Sequence, residues 1–166
     1  SYAGIDFDGR PVRDGLYIEY YNNGQKKIEK TYKAIEDCWS DFGYEVSIRM
    51  LSWKEGKLTR WYANGQKKLE GNYKEIKSIE DEGEDWAPYT RRPSLKHGKF
   101  TVWDKNGQIV SEANYKDGEI DGKFYEWYEN GQKKKEGNYK DDKKHGKFTV
   151  WDKNGQIVSE ANYKEN

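Results

Sequence analysis

The chain has 166 residues, and its 30 Lys+Arg against 30 Asp+Glu give 36% charged side chains and no net charge. Only 33% of the residues are hydrophobic, which is a poor composition for a deep globular core. Trp, Tyr and Phe nevertheless make up 16% of the chain, whereas disordered chains are poor in aromatic residues. The composition therefore predicts a folded chain held together by rings, without the cationic surplus of a nucleic-acid-binding protein.

The tripeptide Asn-Gly-Gln recurs five times and defines an internal repeat. The last three copies are 24 residues apart, and the earlier gaps of 41 and 42 residues equal one period plus an insertion. The central glycines of the copies are Gly24, Gly65, Gly107, Gly131 and Gly155. Four residues before each glycine stands a large aromatic residue, namely Tyr20, Trp61, Trp103, Trp127 and Trp151. Residues 97–116 recur unchanged as residues 145–164.

Each repeat unit has the sequence pattern of a β-hairpin. In the third unit, residues 98–104 are rich in β-branched and aromatic residues, and Asn106-Gly107 favours a two-residue turn because both residues tolerate positive φ. A second strand follows, and the turn residues from Asp117 onward return the chain. We therefore predict an all-β fold, an elongated antiparallel β-meander of about ten strands. One repeat domain over residues 1–166 would contain hairpin units at 14–33, 55–74, 97–116, 121–140 and 145–164.

Side-chain alternation predicts that the two faces of the sheet differ. In the second strand of a unit, positions such as Glu112 and Asn114 are polar, whereas the opposite face carries Tyr115 beside the small Ala113. This pattern indicates a ring lying over a small neighbour.

The recurring rings of the first strand, such as Phe100 and Trp103, are three residues apart. This spacing places them on opposite faces unless a bulge intervenes. A second row of rings on the outer face would need an insertion or a partner to cover it, or would stay partly exposed.

Two insertions, at about residues 34–54 and 75–96, interrupt the period. The first contains alternating apolar residues at Val46, Ile48 and Met50, so we expect it to add a strand. The second runs from acidic to basic residues and predicts a surface loop of the kind that carries recognition in repeat proteins. The partner-binding candidates are the loop and row residues Trp86, Tyr89, Arg91, Arg92, Trp103, Trp127 and Trp151.

Residues 127–140 read Trp-Tyr-Glu-Asn-Gly-Gln-Lys-Lys-Lys-Glu-Gly-Asn-Tyr-Lys. This segment resembles the bacterial variant of the MORN repeat, and the resemblance extends over residues 14–164 apart from the insertions. Bacterial proteins made only of such units resemble the YwqK family, regarded as antitoxin or immunity components of toxin–antitoxin modules. The resemblance implies a hairpin sheet that binds a protein partner, in this family a toxin. Its alternative implication is a membrane-lipid-associated scaffold, the role proposed for MORN repeats in eukaryotic proteins.

The sequence contains no pattern of catalytic residues that is independent of the repeat. His97 and His145 occupy the same place in two units, which favours solvated turn residues. The acidic clusters at residues 80–85 and 6–8 lack the ligand spacing of an EF-hand, and the single Cys38 excludes an internal disulfide. We therefore expect a non-catalytic protein with no catalytic residue, no metal site and no cofactor.

These features predict a protein partner and no nucleic acid. A membrane surface is disfavoured because Glu126, Glu129 and Glu136 offset the lysines at 133–135. The outer strands of the meander would offer open edges, so edge-to-edge self-association is expected. The chain shows no run of about 18 apolar residues. Because it begins at Ser1, a cytoplasmic location and export after removal of a signal peptide are both compatible with the sequence.

Overall fold

The computed structural model describes residues 2–5, 11–41, 45–75 and 94–164. All regular elements within these ranges are β-strands. In chain order they are β1 (Tyr2–Ile5), β2 (Pro11–Arg13), β3 (Gly15–Tyr20), β4 (Lys26–Asp41), β5 (Glu45–Trp61), β6 (Lys67–Glu75), β7 (Ser94–Trp103), β8 (Ile109–Lys116), β9 (Glu119–Trp127), β10 (Lys133–Lys140), β11 (Lys143–Trp151) and β12 (Ile157–Tyr163).

Strands β3 to β12 form one open sheet in which every strand pairs with its neighbours in sequence. All these pairings are antiparallel. The predicted all-β meander is therefore confirmed, and β1 and β2 pair with each other as a separate two-stranded sheet. Each Asn-Gly-Gln segment connects the two strands of a hairpin, where the turn glycine is needed for its positive φ. Gly107, for example, has a φ of 85°.

The first insertion lengthens two existing strands, and the expectation that it adds a strand is wrong. Residues 34–41 continue β4, residues 45–54 belong to β5, and the two stretches pair from Ala34 opposite Ser52 to Asp41 opposite Glu45. Alternation predicts an extended backbone, but it does not reveal whether the chain turns before the next repeat unit. Here the chain continues straight into that unit.

Most of the second insertion, residues 76–93, lies outside the described part of the chain. Its last residues begin β7, because Ser94 pairs with Glu75 and Lys96 with Tyr73. The expected surface loop and its candidates Trp86, Tyr89, Arg91 and Arg92 therefore fall among residues that the structure does not describe.

The sheet is stabilised by rings that cross from one hairpin to the next on one face. Phe100 contacts Tyr73 and Tyr115 edge-on at centroid distances of 5.6 and 5.1 Å, and Phe148 contacts Tyr139 and Tyr163 at 5.1 and 5.5 Å. Such edge-to-face pairs contribute about 0.5–1.5 kcal/mol each beyond the burial of their area. Phe100 and Phe148 are accordingly buried, with 4% and 5% of their surface exposed.

The ring that lies over each small residue comes from the following hairpin, and not from the same strand as the sequence pattern suggested. A Cβ atom at Gly71 would lie 2.3 Å from Phe100 Cδ1, and one at Gly137 would lie 2.5 Å from Phe148 Cε2. The missing side chains of these glycines thus create the space that the phenylalanines fill. Small residues in one hairpin determine how deeply the next hairpin packs.

Phe100 and Trp103 lie on opposite faces of the sheet. Val102 pairs with Ser111 but Trp103 pairs with Ile109, so the extra residue of the bulge belongs to β8 and not to β7. The three-residue step between the two rings is therefore uninterrupted. We call the side of Phe100 the ring face and the side of Trp103 the tryptophan face.

Neighbouring hairpin turns are joined by side-chain hydrogen bonds to backbone oxygens. The Tyr62 hydroxyl donates to the Trp103 oxygen at 2.9 Å, and Asn64 Nδ2 donates to the Lys105 oxygen at 2.8 Å. The same two bonds join the first turn to the second, and the fourth to the fifth. The side chain of Gln66 also packs against Gly107, 3.0 Å from its ideal Cβ position.

The junction between the third and fourth hairpins lacks these contacts within the described structure. Asp104 replaces the bridging tyrosine and instead accepts hydrogen bonds from the backbone N–H groups of Asn106 and Gln108. Apart from Gly131 itself and its chain neighbours, no described residue places an atom within 4 Å of the ideal Cβ position of Gly131. Gly71 and Gly137 leave space for the phenylalanine of the next hairpin, but the equivalent residue at this junction is Ala113, whose methyl group occupies that space. Phe124, which is in register with Ala113, is only half-buried.

We expect the β8–β9 pairing to open more readily than the other pairings between hairpins. Hydrogen–deuterium exchange should be faster for amides that join β8 to β9 than for those that join β6 to β7. The variant Asp104→Tyr should slow this exchange, because a new hydrogen bond to the next turn is worth about 1 kcal/mol. Asp152→Tyr is the matched control, since no turn follows it in the described chain. Uniform exchange across all junctions would contradict the expectation.

Candidate partner-binding surfaces

The tryptophan face carries a row of large aromatic side chains, one from each hairpin. Its members are Tyr20, Trp61, Trp103, Trp127 and Trp151. The four tryptophans are half-buried, and Tyr20 is 55% exposed. Three of the predicted candidates, Trp103, Trp127 and Trp151, therefore lie on one face. Because adjacent strands are about 4.8 Å apart, rings from successive hairpins are spaced by roughly 10 Å.

A lysine from the preceding hairpin covers three of these tryptophans. The ammonium groups of Lys26, Lys67 and Lys133 lie 5.6, 5.7 and 6.0 Å from the ring centroids of Trp61, Trp103 and Trp151, respectively. Contacts of this kind contribute about 0.5–1 kcal/mol at exposed sites.

Trp127 differs because the corresponding position of the preceding hairpin is Ile109, which is 39% exposed. Trp127 stacks on Tyr125 at 5.7 Å with an interplanar angle of 30°. Among the described residues, Trp127 thus has no lysine of the preceding hairpin over its ring, although Lys133 Nζ lies 5.6 Å from the centroid of the adjoining Tyr125.

A cavity of about 310 Å³ lies beside Tyr125 and Trp151 on this face. Its walls come from β9, β10 and β11 and combine two rings with amide, hydroxyl and charged groups. The lining residues are Lys123, Tyr125, Glu136, Gly137, Asn138, Lys147, Thr149 and Trp151. Tyr125 has a larger side chain than the residues at the same repeat position of the other hairpins, so the cavity wall that it forms differs from the equivalent positions along the sheet. Those residues are Ile18, Thr59, Thr101 and Thr149.

Ion pairs between glutamates and lysines flank the aromatic rows on both faces. Burial raises the pKa of Glu126, but the hydrogen bonds and charges of Lys134 and Lys135, at 2.5 and 3.0 Å, outweigh it and hold that pKa below 4.5. The pKa of Glu160 is also lowered, chiefly by its hydrogen bond with Lys147. These carboxylates are charged at neutral pH and form ion pairs with their lysines.

Acid is expected to destabilise the sheet. A carboxyl with a lowered folded-state pKa contributes stability above its unfolded pKa, and this contribution is lost as the pH falls through the folded value. The urea midpoint should therefore decrease between about pH 6 and pH 3. The variant Glu126→Gln should show a smaller decrease than the parent protein. An unchanged midpoint over this range would contradict the assignment.

On the ring face, lysine ammonium groups lie over tyrosine and phenylalanine rings. Lys96 Nζ is 4.4 Å from the centroid of Tyr115 and 5.3 Å from that of Phe100. Lys144 Nζ is 4.9 Å from the centroid of Tyr163 and 5.1 Å from that of Phe148. The sequence-based interpretation missed these lysines. The sequence does contain a signal for them: in the second, third and fifth units, a lysine stands eleven positions before the turn glycine.

His97 and His145 differ in their surroundings, although the 20-residue segments that begin with them are identical in sequence. His97 lies in β7, so its placement in a turn is wrong, but its side chain is 44% exposed and thus partly solvated, with Nδ1 3.6 Å from Asp117 Oδ1. His145 is exposed in β11. In the described part of the chain, no three His, Cys, Asp or Glu side chains are grouped to hold a metal ion, and no helix could cross a membrane.

Comparison with known proteins identifies the repeat. The family model described as "MORN repeat variant" matches residues 13–34, 54–75, 96–117, 120–141 and 144–165. No curated protein and no solved structure gives a significant match to the chain. The five matched segments together cover more than half of the 166 residues, and each contains one Asn-Gly-Gln turn. The chain therefore belongs to the MORN repeat variant family.

Proposed function

We propose that this protein is a non-catalytic scaffold that binds another protein through its tryptophan face. The observation that carries the proposal is the row of half-buried tryptophans beside a cavity of about 310 Å³. Aromatic residues dominate the binding energy of protein interfaces, particularly where they adjoin a pocket that a partner side chain can fill.

The centre of the interface would lie at Trp127 and Trp151. At Trp127 the preceding hairpin contributes Ile109 in place of a lysine, so a partner can pack on this ring against an apolar neighbour. The cavity beside Trp151 offers Asn138 and Thr149 as hydrogen-bonding groups around an apolar side chain. The Lys–Glu pairs at the margin would form the polar rim of such an interface.

We further propose that the partner is a toxin and that the protein acts as its antitoxin or immunity component by direct binding. The resemblance of the repeats to the YwqK family supports this proposal. A rigid sheet that presents a row of rings is suited to covering a partner's surface without chemical modification.

Site-specific photo-crosslinking in the native cell tests the scaffold proposal. A benzoyl-phenylalanine at Asn138, which lines the cavity and is exposed, should give a discrete protein adduct. The adduct should disappear when the protein that carries this probe also carries the substitution Trp127→Ala. The probe at Ser159, which is exposed and lies on the ring face, serves as the matched control and should be insensitive to Trp127→Ala. An absent adduct at Asn138, or one that Trp127→Ala leaves unchanged, would overturn the proposal.

Co-expression with the neighbouring genes tests the antitoxin proposal. A gene that arrests growth when expressed alone should be tolerated when this protein is present. The double variant Trp127→Ala, Trp151→Ala should lose protection while remaining folded by circular dichroism. If no neighbouring gene product is toxic, the antitoxin proposal fails but the scaffold proposal still stands on the crosslinking result.

A further inference from the structure

One position of the repeat faces the tyrosine of the preceding hairpin on the ring face. In register, Lys54 lies opposite Tyr32, Lys96 opposite Tyr73, Ile120 opposite Tyr115, and Lys144 opposite Tyr139. Residues that are directly opposite in a sheet share a face. The second, third and fifth hairpins therefore each place a lysine at the same site between two tyrosines, and the fourth places an isoleucine there.

The rings hold these three ammonium groups in place. Lys54 Nζ is 5.1 Å from the centroid of Tyr73, and Lys96 and Lys144 each lie over two rings of their own hairpin. Lys96 and Lys144 also donate to the hydroxyls of Tyr115 and Tyr163, at 3.4 and 3.3 Å. These contacts reduce the side-chain entropy that the binding of an anion would otherwise remove.

These lysines have no carboxylate within 4 Å among the described residues, unlike the lysines that flank them. On the same face, Lys27 pairs with Glu19, and Lys134 and Lys135 pair with Glu126. The positive charge of Lys54, Lys96 and Lys144 is therefore not neutralised within the described structure, and the ring face carries an excess of cations.

The spacing of the sites selects a particular type of ligand. Lys54, Lys96, Ile120 and Lys144 lie on β5, β7, β9 and β11, two strands apart, which corresponds to about 9.6 Å per step. A polyproline II helix has three residues per turn and rises about 3.1 Å per residue, so every third side chain points the same way at about 9.3 Å intervals. Aromatic grooves are the usual receptors of this conformation.

We propose that the ring face binds an acidic, proline-rich segment of a partner protein in the polyproline II conformation, running across the strands. Acidic side chains three residues apart would meet Lys54 and Lys96, an apolar side chain would meet Ile120, and a further acidic side chain would meet Lys144. The intervening prolines would pack on the tyrosine rings. This site lies on the face opposite to the tryptophan row and does not depend on the function proposed for that row.

The twist of the sheet favours a peptide over a membrane as the source of the negative charge. Adjacent strands are rotated by roughly 20–25°, so the six steps from β5 to β11 turn the lysines through about 120–150°. A flat bilayer cannot meet all three ammonium groups together. A peptide of ten residues can follow the twisted surface, because a rotation of about 40–50° from one site to the next amounts to roughly 15° per residue, within the roughly 15–20° scatter of backbone dihedrals in real elements.

Fluorescence anisotropy with a labelled peptide tests the proposal. The probe is Glu-Pro-Pro-Glu-Pro-Pro-Leu-Pro-Pro-Glu, measured together with its reversed sequence, which presents the same side chains in the opposite chain direction. The same peptide with glutamine for glutamate is the control and should not bind. Each variant Lys54→Gln, Lys96→Gln and Lys144→Gln should weaken binding roughly two- to fivefold, as expected for an exposed ion pair, and the triple variant by about tenfold or more.

Ile120→Lys provides a gain-of-binding test that cannot be explained by unfolding. The backbone of Ile120 is held by hydrogen bonds with Asp142, and lysine occupies the equivalent position in three other hairpins, so the variant should fold. It should bind a peptide with glutamate in place of leucine roughly two- to fivefold more tightly than the parent protein does. Trp127→Ala should leave the binding of both peptides unchanged, which separates this site from the tryptophan face.

Three results would overturn the proposal. The glutamine peptide could bind as well as the glutamate peptide, or the triple lysine variant could bind with unaltered affinity. Vesicles containing phosphatidylserine could also bind the protein in a lysine-dependent manner when neither acidic peptide does. That last outcome would assign the lysines to a membrane surface.

Discussion

Replacing Phe100 by alanine should lower the free energy of unfolding by about 3 kcal/mol, the largest effect expected of a single substitution in this sheet. The side chain is 4% exposed and contacts Tyr73 and Tyr115 edge-on. It also fills the space above Gly71. Its removal would leave a cavity at the junction of two hairpins, because the flanking rings are held by their own strands.

Phe124→Ala is the matched control for this substitution. Phe124 occupies the same position of the repeat but is half-buried over Ala113, and its edge-on contact is with Tyr139 at 5.6 Å. Urea unfolding followed by tryptophan fluorescence should therefore give a clearly smaller loss for Phe124→Ala. Equal losses would show that cross-hairpin nesting does not contribute to stability.

Replacing Gly137 by alanine should destabilise the protein by about 1–3 kcal/mol, although alanine normally reduces the entropy of the unfolded chain. The added methyl group would lie 2.5 Å from the ring of Phe148. This ring is buried between Tyr139 and Tyr163, so it cannot move away without breaking edge-on contacts.

A second substitution should rescue this variant. Phe148→Leu shortens the side chain that meets the new methyl group, and leucine is already present and 3% exposed at the equivalent Leu58. In a double-mutant cycle, the combined loss for Gly137→Ala with Phe148→Leu should be smaller than the sum of the single losses. Strict additivity would contradict the proposed steric contact.

The repeat explains why much of the fold could be predicted. Asn-Gly turns such as Asn106-Gly107 require positive φ, and the alternation around them predicts extended strands, so hairpins follow from local chemistry. The separation of Phe100 from Trp103 also follows from their three-residue spacing, since the bulge lies in the partner strand. The row formed by Trp103, Trp127 and Trp151 could likewise be placed on one face.

Contacts between hairpins were not predictable in the same way. The long pairing of β4 with β5, the nesting of Phe148 over Gly137 and the lysine sites opposite the tyrosines all depend on the register between strands. Register between units is determined by bulges and turn geometry that side-chain alternation does not encode.

The local elements follow from the amino-acid sequence alone, because turn glycines and alternating side chains act over a few residues. Which side chains of adjacent hairpins meet depends on the tertiary structure. It placed Asp104 and Ala113 at the same junction, Ile109 beside Trp127 where other hairpins have a lysine, and Lys96 between two tyrosines. These arrangements arise because strand pairing brings together residues of different hairpins, such as Ala113 with Phe124 and Tyr73 with Lys96, and no local preference specifies which residues become neighbours.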